Sequence, residues 1–259
     1  MLAVTDAEIA RWLGSLIWPL FRALALFAVA PAFGSNAVPT QVKVALALAV
    51  AVVIGGLAGP MAPLDLSWRS AILALEQVLV GFTIGFAMRL AISVMTFAGD
   101  VAGLQMGFGF ATLLDAQVGM PMPVLADFFD LLGTVLFLAI GGHLLLIAAL
   151  AKSFAIVPVL PDATLPGLDW RGLAEAGGTL FQLGIMLALP VVAAMLAVNV
   201  GMAVISRVAP QLNMMSIGFA VFLWLGLGIV ILILPFVVPA VWHLTEFGLR
   251  EIDGVLRGH

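Results

Sequence analysis

Six long stretches of the chain are almost free of charge, at roughly 12–33, 42–59, 72–98, 124–150, 178–205 and 216–247. About 20 helical residues cross a bilayer core, and at least five of these stretches are long enough. They are too long for strands and lack strict alternation, which argues against a barrel. The expected fold is therefore all-α and membrane-associated, built of long kinked apolar helices and helical hairpins. Composition points the same way: of 259 residues, 64% are hydrophobic and 9% charged, against about 25% charged in a soluble domain.

Several stretches overshoot one crossing. Residues 70–99 would extend about 40 Å as a helix, against a hydrocarbon core of about 30 Å. Pro190 lies in the fifth stretch, and Pro235 and Pro239 in the last. An internal proline deletes a donor and crowds the preceding turn, so kinks are expected there. Arg22, Glu76, Arg89, Asp127, Asp130 and Lys152 stand within these stretches or at their margins. A charge at mid-bilayer costs at least about 2.5–3.5 kcal/mol. Glu76 and Arg89 are 13 residues apart, which at about 100° per residue sends them to nearly opposite faces. Their ion-pair partners are expected on other helices or other chains. Arg22 and Lys152 can either snorkel toward a helix end or pair inside protein.

Little in the chain suggests chemistry. Cysteine is absent, which removes disulfides, thiol catalysis and thiolate metal sites together. Basic residues are scattered, so nucleic acid is not an expected partner. The start, MLAVTDAEIARWLG, has two acids and no basic leader region, unlike a cleaved signal peptide. His143, His243 and His259 are too far apart to suggest a metal site, and no phosphate-binding loop is present. No enzyme, metal or cofactor is expected. Asp127 and Asp130 share a helix face, which fits a proton relay. They also follow Pro123, and acids favour a helix N-terminus; the second reading is preferred.

Glycines recur at fixed spacing. Gly81 and Gly85 sit in GFTIG, and Gly99, Gly103 and Gly107 in GDVAGLQMG. Residues four apart share a helix face, and glycine there admits a second backbone. Each costs roughly 1 kcal/mol of helix propensity relative to alanine, so close packing is expected to offset it. That packing is either within the chain or with neighbouring subunits. Between two apolar stretches, residues 105–123 read QMGFGFATLLDAQVGMPMP, placing soft, bulky side chains on flexible backbone. By residue type alone this is an ordinary loop between helices.

Three blocks carry a family resemblance. They are EQVLVGFTIGFAMRLAISVMTFAGDVAGLQMGFGFATLLDA at 76–116, MPVLADFFDLLGTVLFLAIGGHLLLIAALAKSF at 122–154, and LALPVVAAMLAVNVGMAVISRVAPQLNMMSIGFAV at 187–221. Their order, and above all the turn SRVAPQLNMMSIGF, resembles the FliR family of flagellar biosynthetic proteins and its type III secretion counterparts. Ala116 and Ala220 stand where that pattern often has proline.

The resemblance implies a non-enzymatic subunit of the flagellar type III export gate, in the bacterial inner membrane at the flagellar basal body. Implied partners are FliP-like and FliQ-like subunits, an FlhB-like subunit, the basal-body ring, membrane lipid, and unfolded flagellar proteins in transit. The implied fold is a FliP-like helical part at 1–172 followed by a FliQ-like hairpin and tail at 173–259. A plug loop at about 107–123 is implied, with Met106, Gly107, Phe108, Gly109, Phe110, Met120 and Met122 as its members. The hairpin loop at 205–213 would meet the FlhB-like partner through Arg207, Gln211 and Asn213, with Pro210 breaking the helix. A small-solute or ion permease is the alternative, with Asp127, Asp130 or Glu76 as the coupling carboxylate.

Overall fold

The computed structural model describes residues 5–34, 38–65, 67–109, 123–161, 167–208 and 214–258. Among these residues there is no strand, and the chain is all-α as expected. The long helices are α1 (Asp6–Val29), α2 (Thr40–Leu57), α3 (Trp68–Gln105), α4 (Val124–Ala139), α5 (Gly142–Ile156), α6 (Trp170–Val208) and α7 (Met214–Arg257). Five of them, α1, α2, α3, α6 and α7, are long and apolar enough to cross a membrane.

Local chemistry sets the helix ends. Glu8 reaches back to the start of α1, its Oε2 accepting from the Thr5 amide and hydroxyl at 2.8 and 3.1 Å. The fourth apolar stretch, 124–150, divides into α4 and α5, because Gly141 adopts φ +78, a left-handed conformation open chiefly to glycine. Prolines do not interrupt the helices. Pro19 in α1, Pro190 in α6, and Pro235 and Pro239 in α7 all lie inside continuous helices. The overshoot is larger than the sequence suggested: α3 has 38 residues, about 57 Å of helix.

Contacts sort the chain into two compact units that do not follow chain order: 1–91 with 137–177 and 245–259, and 92–136 with 178–244. The division at 172 and 173 implied by the resemblance concerns likeness to sister proteins, a separate matter from which residues pack together.

In the first unit, α1 buries one face at a spacing of four: Trp18, Arg22, Leu26 and Ala30 are all fully buried. The Trp18 indole N–H donates to the Ala62 carbonyl at 2.8 Å. Ala47, Val50, Ala51 and Ile54 form the buried face of α2. In the second unit, Met95, Ala98, Ala102 and Met106 line the buried face of α3, with Phe129 of α4 and Met195 of α6 also in the core. Phe97 and Phe181 meet edge-on with centroids 5.2 Å apart.

Candidate functional site

Glycine positions decide how closely the helices approach. At Gly81 a Cβ would overlap the Arg22 carbonyl, and at Gly85 it would lie 2.7 Å from the Leu26 carbonyl oxygen. Real Cβ atoms do not reach such distances, so α3 lies against the α1 backbone at both glycines. Gly99 does the same to α4, with a Cβ position 2.8 Å from the Ala126 Cα and the Leu125 carbonyl oxygen. Gly103 differs, because its nearest neighbour, Leu125 Cβ, would stand at an ordinary 3.5 Å. Gly107 differs again: its φ of +86 ends the helical path, and its amide donates to Leu104 O at 3.2 Å. One row in the sequence thus serves three purposes in the fold.

Arg22 is wholly buried and does not snorkel. Its Nε donates to Gln77 Oε1 at 2.8 Å, Nη1 to Ser153 Oγ at 2.8 Å, and Nη2 to Gln77 Oε1 and the Val157 carbonyl. Phe154 lies under the guanidinium, 3.9 Å from carbon to ring centroid. Glu76, 1% exposed, is the carboxylate that interacts electrostatically with this cation. Its Oε2 has no hydrogen-bond partner among the described residues. Arg22 of α1 is thus joined by hydrogen bonds to α3 and α5, and Glu76 senses its charge without a salt bridge between them. Gln77 and Ser153 escaped sequence reading; each stands beside a charge already singled out, Glu76 and Lys152. Lys152 pairs with Asp253 at 2.5 Å, a partly exposed pair of about 0–1 kcal/mol. Arg89 is half-buried on α3.

The end of α3 marks the described margin of the 107–123 loop. Met106 is fully buried, and a Cβ on Gly226 of α7 would overlap its side chain. Phe108 and Gly109 are half-buried and line a cavity of about 160 Å³ together with Gly103, Leu104 and Leu125. Phe110, Met120 and Met122 lie outside the described residues, as do Pro210, Gln211 and Asn213. Arg207 is exposed in the last turn of α6. Asp127 occupies the first turn of α4, where acids are favourable, and Asp130 accepts a 2.8 Å hydrogen bond from Thr96 Oγ1. Among the described residues, no group of His, Asp and Glu is arranged to hold a metal.

Residues 13–247 match the family described as "Bacterial export proteins, family 1". The chain is 37% identical to the flagellar biosynthetic protein FliR of Escherichia coli (strain K12) over 248 residues, 94% of this chain and 93% of the relative. It belongs to the FliR family. A second relative, FliR of Pectobacterium carotovorum, is 36% identical over the same shares of both chains. FliR of Aquifex aeolicus is 28% identical over 90% of this chain and 89% of its own length. Family membership makes the chain an export component and not an enzyme.

FliR-family membership puts the exposed surface in context. The most apolar 18-residue windows of α6 and α7 are 22% and 17% buried, against 61% for α3. Phe181, Leu189, Leu196 and Val204 on α6, with Trp224, Leu232 and Phe236 on α7, are more than half exposed. Contiguous apolar surface on this scale marks contact with lipid or protein.

Proposed function

We propose that this chain is a subunit of the flagellar type III export gate, forming part of the channel for unfolded flagellar proteins. The observation that carries the reading is the 37% identity to a flagellar FliR across nearly the whole of both chains. The unburied apolar faces of α6 and α7 support it, since sister subunits and lipid would cover them. On this reading residues 1–172 are the FliP-like part and 173–259 the FliQ-like hairpin. The chain assembles with FliP-like and FliQ-like subunits inside the basal-body ring of the inner membrane, and meets an FlhB-like subunit at the loop containing Arg207.

The loop at 107–123 acts as a channel plug. Methionine is unbranched and polarizable, so it conforms to irregular surfaces. Aromatic bulk excludes water, and a dewetted constriction closes without a catalytic group. Buried Met106 and left-handed Gly107 would fix where the loop leaves α3.

Mass measurement of the purified complex tests the assembly. A gate subunit of 27.0 kDa is expected within a much larger particle containing other chains, whereas a permease purifies alone or as a homo-oligomer. Deleting residues 108–119 tests the plug: ion leak through the reconstituted gate should rise. A deletion that lowers assembly without leak makes the loop a scaffold.

A further inference from the structure

The cavity at the end of α3 measures about 160 Å³. It is far larger than the roughly 10–15 Å³ that admits one water, and smaller than the roughly 300–1,000 Å³ of a small-molecule pocket. Its size is that of a side chain. Among the described residues the lining is apolar, including Leu104, Phe108, Val124 and Leu125, with one charged residue, Asp100. Gly103 keeps it open, because a larger residue there would extend toward Leu125.

Asp100 is exposed near the end of α3, and no described side chain pairs with its carboxylate. Asp127 is likewise exposed. It lies one residue beyond Ala126, where α4 meets Gly99 of α3. Among the described residues of 92–136 and 178–244 the acids are Asp100, Asp127 and Asp130, the last hydrogen-bonded by Thr96, against one Lys or Arg, Arg207. An acid in an apolar, subunit-covered environment is expensive unless a cation meets it, and this unit supplies almost none.

We propose that the cavity receives a lysine or arginine side chain of a neighbouring membrane subunit. Its aliphatic stem lies over Leu104 and Phe108, and its charge lies against Asp100. Long basic side chains suit such a site because the stem buries apolar surface while the head remains polar. Asp127 adds a second negative charge near the α3–α4 crossing and strengthens the field that selects a cation. The inference rests on the multi-subunit reading above and assigns one contact within it.

A photo-crosslinking residue at Leu104, which is 68% exposed, tests this in the complex co-expressed with its sister chains. The expected adduct is a peptide of another subunit carrying Lys or Arg within an apolar segment. Asp100→Lys should cut complex yield about tenfold, since opposed like charges disfavour association. Asp100→Asn, which cannot repel, should lower yield less. Changing the mapped basic residue to Asp should restore assembly with Asp100→Lys, which separates a broken contact from a misfolded chain. An adduct only to lipid or to residues 110–122 of the same chain would overturn the proposal. So would wild-type yield with Asp100→Lys, and in both cases the gate reading survives. A chain that purifies without other subunits sinks both.

Discussion

Helices α3 and α6 differ by one residue in length, 38 against 39, and their most apolar 18-residue windows have mean hydropathies of 2.0 and 2.3. Their surroundings are opposite. Most of the apolar window of α3 is buried within the chain, whereas in α6 more than three quarters is not. Their glycines differ in what they meet. Gly81, Gly85 and Gly99 of α3 each lie against a backbone of this chain, while in α6 Gly172 and Gly184 meet only side chains, Asp169 and Phe97, and Gly177, Gly178 and Gly201 have nothing within 4 Å of a Cβ position. Hydropathy reports exclusion from water and is silent on what does the excluding. In α3 the chain itself does so; in α6 it is left to lipid or to other proteins.

The sharpest way to break this contrast is to remove what fixes α3. Arg22→Met would leave the Glu76 carboxylate buried without its cation and free the Gln77 and Ser153 oxygens. Removing one member of a buried pair typically costs about 3–5 kcal/mol. The expected result is a large drop in the thermal midpoint of the purified chain. Adding Glu76→Gln should recover part of the loss, because the uncompensated charge is then gone. If Arg22→Met unfolds at the wild-type midpoint, the network does not hold α1 to α3 and α5.

Next in size is a matched pair of substitutions. Gly81→Leu forces side-chain atoms into the Arg22 carbonyl, and overpacking of this kind costs about 1–3 kcal/mol or more. Gly201→Leu enters open space, and surface substitutions away from special features stay within about 0.5 kcal/mol. The isolated chain should therefore lose stability only with Gly81→Leu. In the assembled complex Gly201→Leu should lower yield as well, if a sister helix lies on that face. Equal stability of the two isolated variants would erase the distinction between α3 and α6.

Much of this contrast lay beyond sequence reading for a definite reason. Periodicity shows which residues share a face of one helix, so the Gly81 and Gly85 pair and the helical character of all six stretches were legible. It does not show which helix covers that face. Arg22 could be placed in an apolar stretch, yet its acceptors on Gln77 and Ser153 lie 55 and 131 residues away, and no local pattern links them. Gly99, Gly103 and Gly107 read as one row because spacing was the only information, although Gly99 lies against the α4 backbone, Gly103 meets side chains and Gly107 carries a left-handed turn. The break at Gly141 did carry a signal: a Gly-Gly pair is a turn marker, outweighed here by the apolar run around it.

The smallest effect concerns the entry to α3. Ser67 Oγ donates to Asp65 Oδ1 at 2.7 Å, and Ser70 Oγ donates to the same oxygen. These hydrogen bonds, led by that from Ser70, hold the Asp65 carboxyl below its ordinary range. A carboxylate with a depressed folded-state pKa stabilises the fold above its unfolded pKa, about 3.9, and the contribution fades as pH falls through the lower folded value. Amide exchange over the first turn of α3 should therefore show protection that persists below pH 4 and then declines on further acidification. Asp65→Asn should remove that dependence while leaving the Arg22 network and the glycine crossings intact, because the carboxylate is exposed and its partners are local. An unchanged acid profile in the variant would mean that α3 is fixed by its buried contacts alone, carrying the contrast with α6 to the first turn of the helix.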